Sequence, residues 1–181
     1  MKKTLFSSAA IAAAALGFAG LSGSAAASKD EKAMSLCQVE VDAGDIPEVQ
    51  RRPETVGFMK RVDGQVIVFR RARDGVVEIK AEVGMDLLAH DAVATGANGG
   101  FDAIFTDNST VSGVADTCFE ISQYVYKPEE NEGEFRMHLG RGVVSVAAGR
   151  VAKLRGDTMS VKVRNDTNLA VTGTRIVIRA K

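Results

Sequence analysis

The sequence predicts an all-β fold of short antiparallel strands and hairpins, arranged as a sandwich or a solenoid-like stack, with a barrel as the third option. Three observations support this prediction. Apolar and polar residues alternate over short runs, as they do in half-buried strands. Turn-forming residues separate these runs at short intervals. The 18 glycines and the frequent β-branched residues leave no long stripe of helical period after the first 27 residues.

The clearest strand signals begin at Val56. Residues 56–62 are predicted to meet residues 65–72 across Asp63-Gly64. The second of these runs is predicted to meet residues 76–83 across Asp74-Gly75. Because glycine tolerates positive φ, both dipeptides suit a two-residue hairpin turn. A three-stranded meander is therefore expected at the start of the domain.

Further strands follow to the end of the chain. Residues 101–106 and 110–114 flank Asp107-Asn108-Ser109, whose side chains favour a turn, so another hairpin is predicted there. The remaining predicted strands are residues 119–121, 124–126, 135–139, 159–163, 169–171 and 176–178. In the last two, the apolar positions change from odd to even numbers, which predicts a bulge or bend at Gly173.

The first 27 residues have the pattern of a secretory signal. Lys2 and Lys3 precede an apolar, uncharged stretch over residues 5–21, and Ala25-Ala26-Ala27 before Ser28 fits a cleavage site. Serines and glycines dilute the stretch, whereas a membrane-spanning helix needs about 20 strongly apolar residues. We therefore predict a cleavable signal peptide and export to the periplasm.

The exported part is predicted to comprise a polar leader, residues 28–55, and one β domain, residues 56–181. The formal net charge of the whole chain is zero, and loss of Lys2 and Lys3 leaves it slightly acidic. Such a chain has no electrostatic attraction to nucleic acid or anionic lipid. No later segment is apolar enough to span a membrane, so we predict neither a nucleic-acid partner nor a transmembrane anchor.

The chain has two cysteines, Cys37 and Cys118. In an oxidising compartment such a pair is predicted to form a disulfide, with two free thiols as the alternative. Lipid attachment at Cys37 is disfavoured because Met34-Ser35-Leu36 is not a run of small residues.

Five segments between residues 84 and 178 carry short motifs in a fixed order. They are Gly84-Met85-Asp86-Leu87, residues 90–95 (HDAVAT), residues 101–109 (FDAIFTDNS), residues 139–143 (LGRGV) and residues 171–178 (VTGTRIVI). In this order they resemble the FecR family domain, the periplasmic module of ferric-citrate-type sigma regulators and of stand-alone envelope proteins. The last segment is the most specific, being similar to the family's V-x-G-T-x-F-x-V ending.

The chain departs from the family pattern at a few positions. His90 stands where the family usually has glycine, Asn108 replaces the turn glycine, and Arg164-Asn165 stands where a threonine often follows the strand. We also expect this chain to carry neither a helical anti-sigma region nor an internal transmembrane helix. The resemblance therefore implies a domain that acts wholly outside the inner membrane.

The resemblance also implies that this domain works by binding. We expect a non-enzymatic accessory or signalling role in the envelope through protein contacts. The alternative is a module that binds peptidoglycan or another polysaccharide. Exposed aromatic side chains, which sugar sites prefer, are scarce because Tyr124 and Tyr126 are the only tyrosines and tryptophan is absent.

Catalytic and metal-binding patterns are weak in this sequence. His90 and His138 are the only candidate histidine bases, and no G-x-S-x-G motif occurs. The two histidines and two cysteines lack the spacing of a zinc site. We predict no catalytic residue, no metal and no cofactor, with His138 in a cross-strand surface contact and His90 in a turn.

The densest charge cluster is cationic. It comprises Arg70, Arg71 and Arg73, with Lys60 and Arg61 expected next to them across the first hairpin. One interpretation is a solvated strand edge that discourages aggregation. The other is a surface for an anionic partner, and these five residues are the predicted partner surface.

Overall fold

The computed structural model describes Cys37 and residues 54–72, 75–154, 158–164, 167–172 and 175–181. The predicted signal peptide, most of the predicted leader, Arg73, the Asp74 turn position and the predicted bulge at Gly173 lie outside these residues. Within the described residues, no helix is both long and apolar enough to cross a membrane.

Twelve β-strands account for most of the described chain, so the all-β prediction is confirmed. Two 3₁₀ turns, Pro128–Glu130 and Val151–Lys153, interrupt the strands. The strands are β1 (Thr55–Asp63), β2 (Val66–Ala72), β3 (Gly75–Lys80), β4 (Asp86–Leu88), β5 (Ala92–Thr95), β6 (Gly100–Phe105), β7 (Thr110–Gly113), β8 (Cys118–Lys127), β9 (Glu132–Ala147), β10 (Met159–Val163), β11 (Thr167–Ala170) and β12 (Arg175–Ala180).

The strands form one curled sheet with two arms that share the long strand β9. Arm A has the order β4-β1-β6-β7-β9-β12, and arm B has the order β3-β2-β5-β8-β9-β10-β11. The first part of β9 pairs with β8 and β10, and its last six residues pair with β12. Between the two parts Gly142 has φ of 90°, and a Cβ there would lie 2.5 Å from the Cα of Thr117. Glycine is therefore required where β9 passes from arm B to arm A.

The core lies between the two arms. Inward side chains of both arms form one buried apolar cluster. The rings of Phe101 in β6 and Phe119 in β8 have centroids 6.2 Å apart, and those of Phe105 and Phe135 are 4.5 Å apart. Burial of each such side chain contributes about 1.5 to 3 kcal/mol, so these contacts hold the arms together.

Two of the three predicted hairpins are confirmed. β2 pairs with β3 from Ile67↔Lys80 to Ala72↔Gly75, and β6 pairs with β7 around Asp107-Asn108-Ser109. All strand pairs are antiparallel except β9 with β10, which is parallel. The longer connection over residues 148–158 makes this parallel pairing accessible.

The predicted hairpin of β1 with β2 is wrong. β1 lies between β4 and β6 in arm A, and β2 lies between β3 and β5 in arm B. The Asp63-Gly64 turn therefore carries the chain from one arm to the other, with Gly64 at φ of 59°. A glycine at positive φ suits either connection, so the dipeptide alone does not distinguish them.

The last two strands also lie in different arms. β11 pairs with β10 in arm B, whereas β12 pairs with β9 in arm A. Leu169 is 37% exposed, contrary to its predicted inward position, while Val171 and Ile178 are buried. The change of apolar parity therefore occurs where the chain passes between arms.

Candidate functional site

A polar groove lies on the outer face of arm B. Its volume is about 350 Å³, within the range of small-ligand sites. Four strands, β8 to β11, contribute its lining: Ser122, Arg136, Met137, Ser160, Lys162, Thr167 and Asn168. Hydroxyl, amide and cationic groups thus share one concave surface, and none of the described residues that line it is acidic.

Strand alternation brings these groups to one face. Arg136 alternates with the buried residues of β9, and Ser160 and Lys162 alternate with those of β10. The parallel register sets Arg136 beside Ser160 and His138 beside Lys162. On the other side of β10, Lys162 lies opposite Asn168 of β11. Outward positions of three neighbouring strands therefore meet in the groove.

A bulge in β8 adds Ser122 to the lining. Ile121 pairs with Met137 and Gln123 pairs with Arg136, so Ser122 has no opposite residue. A bulge bends its strand and re-aims a side chain, and such irregularities are frequent next to binding sites.

The two cations of the groove have different surroundings. Arg136 forms an ion pair through Nε with the carboxylate of Glu134. Lys162 forms no ion pair with any residue that the structure describes. The described lining therefore carries a net positive charge, and the Lys162 ammonium is its cation without an ion pair to a described residue.

His138 lies beside the groove and forms cross-strand contacts. Its Nε2 is 3.1 Å from the carbonyl oxygen of Arg164, and its Nδ1 is 3.7 Å from Glu120. Glu120 is also 4.0 Å from Arg71. These contacts agree with a cross-strand role for His138.

The predicted partner surface is divided between the two arms. Lys60 and Arg61 lie on β1 in arm A, Arg70 and Arg71 lie on β2 in arm B, and Arg73 is outside the described residues. Because β1 and β2 do not pair, the structure does not bring the described four together on one hairpin. Their contact with a partner stays a prediction.

Arg61 is paired with acidic residues of its own arm. It donates to Asp63 and, through Nε, to Asp102 at 2.7 Å. The hydrogen bond from Arg61 lowers the pKa of the Asp102 carboxyl, and the same bond raises the pKa of Arg61.

Arg70 is paired with a buried aspartate. Its Nε and Nη2 donate to the two carboxylate oxygens of Asp91 at 2.9 and 2.7 Å, and Nη2 also donates to the carbonyl of Asp86 at 2.8 Å. The Asp91 side chain is 1% exposed and also accepts from the Leu88 amide. Burial raises the pKa of Asp91, and the bonds from Arg70 and Leu88 oppose that effect.

A second buried aspartate, Asp107, has no cation among its hydrogen-bond partners in the described chain. Its Oδ1 accepts from the Ser109 amide at 3.0 Å and from the Tyr124 hydroxyl at 3.1 Å. Its Oδ2 accepts from the Ser109 hydroxyl at 2.5 Å and from the Val151 amide at 3.0 Å. We call these bonds the Asp107 network.

The Asp107 network ties the β6–β7 turn to the connection after β9. The Gly149 amide donates to Ser109 Oγ at 2.9 Å, and a Cβ on Gly149 would collide with the turn backbone. Burial raises the pKa of the Tyr124 hydroxyl, which therefore stays protonated as a donor at neutral pH. The sequence predicted the turn but gave no sign of its distant partners, because they depend on tertiary contacts.

The predicted disulfide between Cys37 and Cys118 is confirmed, with Cα atoms 5.6 Å apart. The bond lies in a second buried apolar cluster, with Phe69, Ala92 and Ala94. Each of these three residues is adjacent in sequence to an inward residue, Val68 or Val93, so they lie on the outer face of arm B. The disulfide therefore attaches the leader to the same face that carries the groove.

Comparison of the chain with protein-family models, with curated proteins and with solved structures finds no match.

Proposed function

We propose that this protein is an exported binding domain of the cell envelope that acts by contact with a protein partner, through the outer face of arm B. The groove carries this proposal. It gathers polar and cationic side chains at one surface, whereas the Asp107 carboxylate, Arg70 and Arg61 are hydrogen-bonded to other residues of the domain itself. Polar groups without internal partners are available for recognition.

Two features support export to the periplasm. The first is the Lys-apolar-Ala pattern of residues 1–27, which suits a cleavable signal peptide. The second is the Cys37–Cys118 disulfide, since such bonds persist in oxidising compartments.

Two backbone positions support the resemblance to the FecR module. His90 and Asn108, which stand where that family has glycine, have φ of 68° and 67°. This is the left-handed region that glycine enters without strain. The backbone thus has the conformation that the family's glycines would suit, which favours a FecR-like accessory or signalling role.

The second candidate is a module that binds a cell-wall polysaccharide. The hydroxyl and amide groups of Ser122, Ser160, Thr167 and Asn168 in the groove favour it. Against it, Tyr124 directs its hydroxyl into the Asp107 network and is not a free stacking platform.

Site-directed photo-crosslinking in the periplasm separates the two candidates. A crosslinking residue replaces Ser160 in the groove or, as a matched control, the exposed Glu129 of the first 3₁₀ turn. We expect one envelope protein to be captured from position 160 and not from position 129, with no sedimentation of the domain with isolated cell wall. Sedimentation with the wall and no protein adduct would instead support the polysaccharide candidate and contradict the protein one.

A further inference from the structure

We propose that the partner contributes an extended acidic segment that adds as a new strand to the edge of β11, with a carboxylate beside Lys162. This inference rests on the proposed function and specifies its partner. Strand addition supplies affinity through main-chain hydrogen bonds, and side-chain pockets supply specificity.

β11 has an open edge in the described part of the chain, since it pairs with β10 alone. The backbone hydrogen bonds of β10 show which amides and carbonyls of β11 do not bond to β10. The Val171 amide donates to the Met159 carbonyl, and the Phe135 amide donates to the Thr158 carbonyl on the other side of β10. Because hydrogen-bonded and non-bonded pairs alternate, Thr167 and Leu169 face β10, whereas the amides and carbonyls of Asn168 and Ala170 point away from the sheet.

The side chains of β11 leave room for an added strand. All four of its residues, Thr167 to Ala170, are exposed. None carries a charge and none is proline, so β11 lacks two of the devices that block an edge, although it is a short strand.

The groove explains why the added strand should be acidic. Lys162 lies directly opposite Asn168, one strand in from the edge. Neighbouring strands are about 4.8 Å apart, so a glutamate on the added strand and the extended Lys162 side chain can meet across β11. Arg136, on the next strand in, lies on the same face but is paired with Glu134, so Lys162 is the groove cation that has no ion pair with a described residue. Opposite charges across a sheet face stabilise pairing and reject neutral or basic segments.

Two peptides test this inference on the disulfide-bonded protein. The probe is acetyl-Thr-Glu-Val-Glu-Val-Thr-amide, and its matched control has glutamine in place of both glutamates. Binding is followed by NMR titration at low salt. We expect shifts centred on Asn168 and Ala170, and about 1.4-fold to fivefold tighter binding of the glutamate peptide, the range of one exposed ion pair.

Three variants test the charge of Lys162 and the open edge of β11 separately. Lys162→Gln should remove the preference for the glutamate peptide, while Lys80→Gln, on the opposite edge strand of arm B, should retain it. Ala170→Pro removes an amide that faces away from β10, so it should keep the fold and lose both peptides. If Ala170→Pro lowers the unfolding temperature, the comparison of Lys162→Gln with Lys80→Gln still decides the matter.

Equal binding of the two peptides to the parent protein would overturn the inference, as would full binding by a folded Ala170→Pro variant. The crosslinking experiment distinguishes this failure from that of the proposed function. An envelope protein captured from position 160 equally well in the parent and in Ala170→Pro leaves the binding function intact and rejects strand addition. No captured protein in either rejects the proposed function itself.

Discussion

The Asp107 network and the groove on arm B contain similar polar groups, but the network buries them in internal hydrogen bonds and the groove presents them at the surface. In the network, Asp107, Ser109 and Tyr124 bond to one another and to two backbone segments, and Asp107 and Ser109 are fully buried. In the groove, serine, threonine, asparagine and lysine side chains line an open surface. Polar residue type therefore does not identify a binding site in this protein. The distinguishing property is whether the fold already uses the group.

The largest expected effect on the free energy of unfolding concerns the Asp107 network. Asp107→Ala removes the acceptor of four donors and leaves the buried amides of Ser109 and Val151 unpaired. Each unpaired buried donor costs about 1 to 3 kcal/mol, so we expect a loss of about 3 to 5 kcal/mol in the free energy of unfolding. Urea unfolding measures it, with Glu129→Ala at an exposed position as the control. A loss below about 1 kcal/mol would show that water replaces these bonds.

Breaking the Arg70–Asp91 pair should have the next largest effect. Arg70→Met keeps most of the side-chain volume but leaves the Asp91 carboxylate buried without its cation. Loss of one partner of a fully buried pair costs about 3 to 5 kcal/mol, and Arg70 is partly exposed, so we expect about 2 to 3 kcal/mol. The control is Lys60→Met on β1, an exposed position. Similar unfolding midpoints for the two variants would contradict the structural role of Arg70.

A smaller effect of opposite sign is expected at His90. A non-glycine residue at φ of 68° costs about 1 to 2 kcal/mol. Glycine removes this strain, but it also raises the conformational entropy of the unfolded chain, which lowers stability by about 0.4 to 1 kcal/mol. His90→Gly should therefore stabilise the domain by about 0.5 to 1 kcal/mol. Asn108→Gly should change it little, because asparagine tolerates this conformation. Destabilisation by His90→Gly in thermal melts would show that the imidazole makes contacts of its own.

The smallest expected effect concerns the surface pair of Arg61 and Asp102. Since Arg61 lowers the pKa of Asp102, the pair stabilises the fold above the ordinary carboxyl pKa of about 4. That contribution is lost as the pH falls through the lowered pKa. Asp102→Asn should therefore melt slightly below the parent protein at pH 7 and together with it at about pH 2. An equal difference at both pH values would exclude this linkage.

Local sequence patterns predicted much of the fold. The alternation in β8, β9 and β10 was sufficient to assign strands, and Asp107-Asn108-Ser109 marked a real turn. The same reasoning failed at Asp63-Gly64, because a connection between the two arms and a hairpin turn both suit a glycine at positive φ. Which strands become neighbours is a tertiary property.

The groove was not predicted for the same reason. Ser122, Arg136, Lys162 and Asn168 lie on four strands, and only the register of those strands brings them together. A charged residue between two apolar ones, such as Arg136 or Lys162, indicates an outward position but not its neighbours. Two of the cationic residues that are dense in the sequence, Arg61 and Arg70, form ion pairs with aspartates of the domain itself.

Amide hydrogen exchange in the free protein tests the central claim most directly, namely that arm B ends in an open edge beside its groove. The amides of Asn168 and Ala170 should exchange rapidly, whereas those of Thr167, Leu169 and Val171, which face β10, should be protected. Adding the glutamate peptide should protect Asn168 and Ala170. Protection of these two amides in the free protein would mean that the edge of β11 is already covered and would contradict the account.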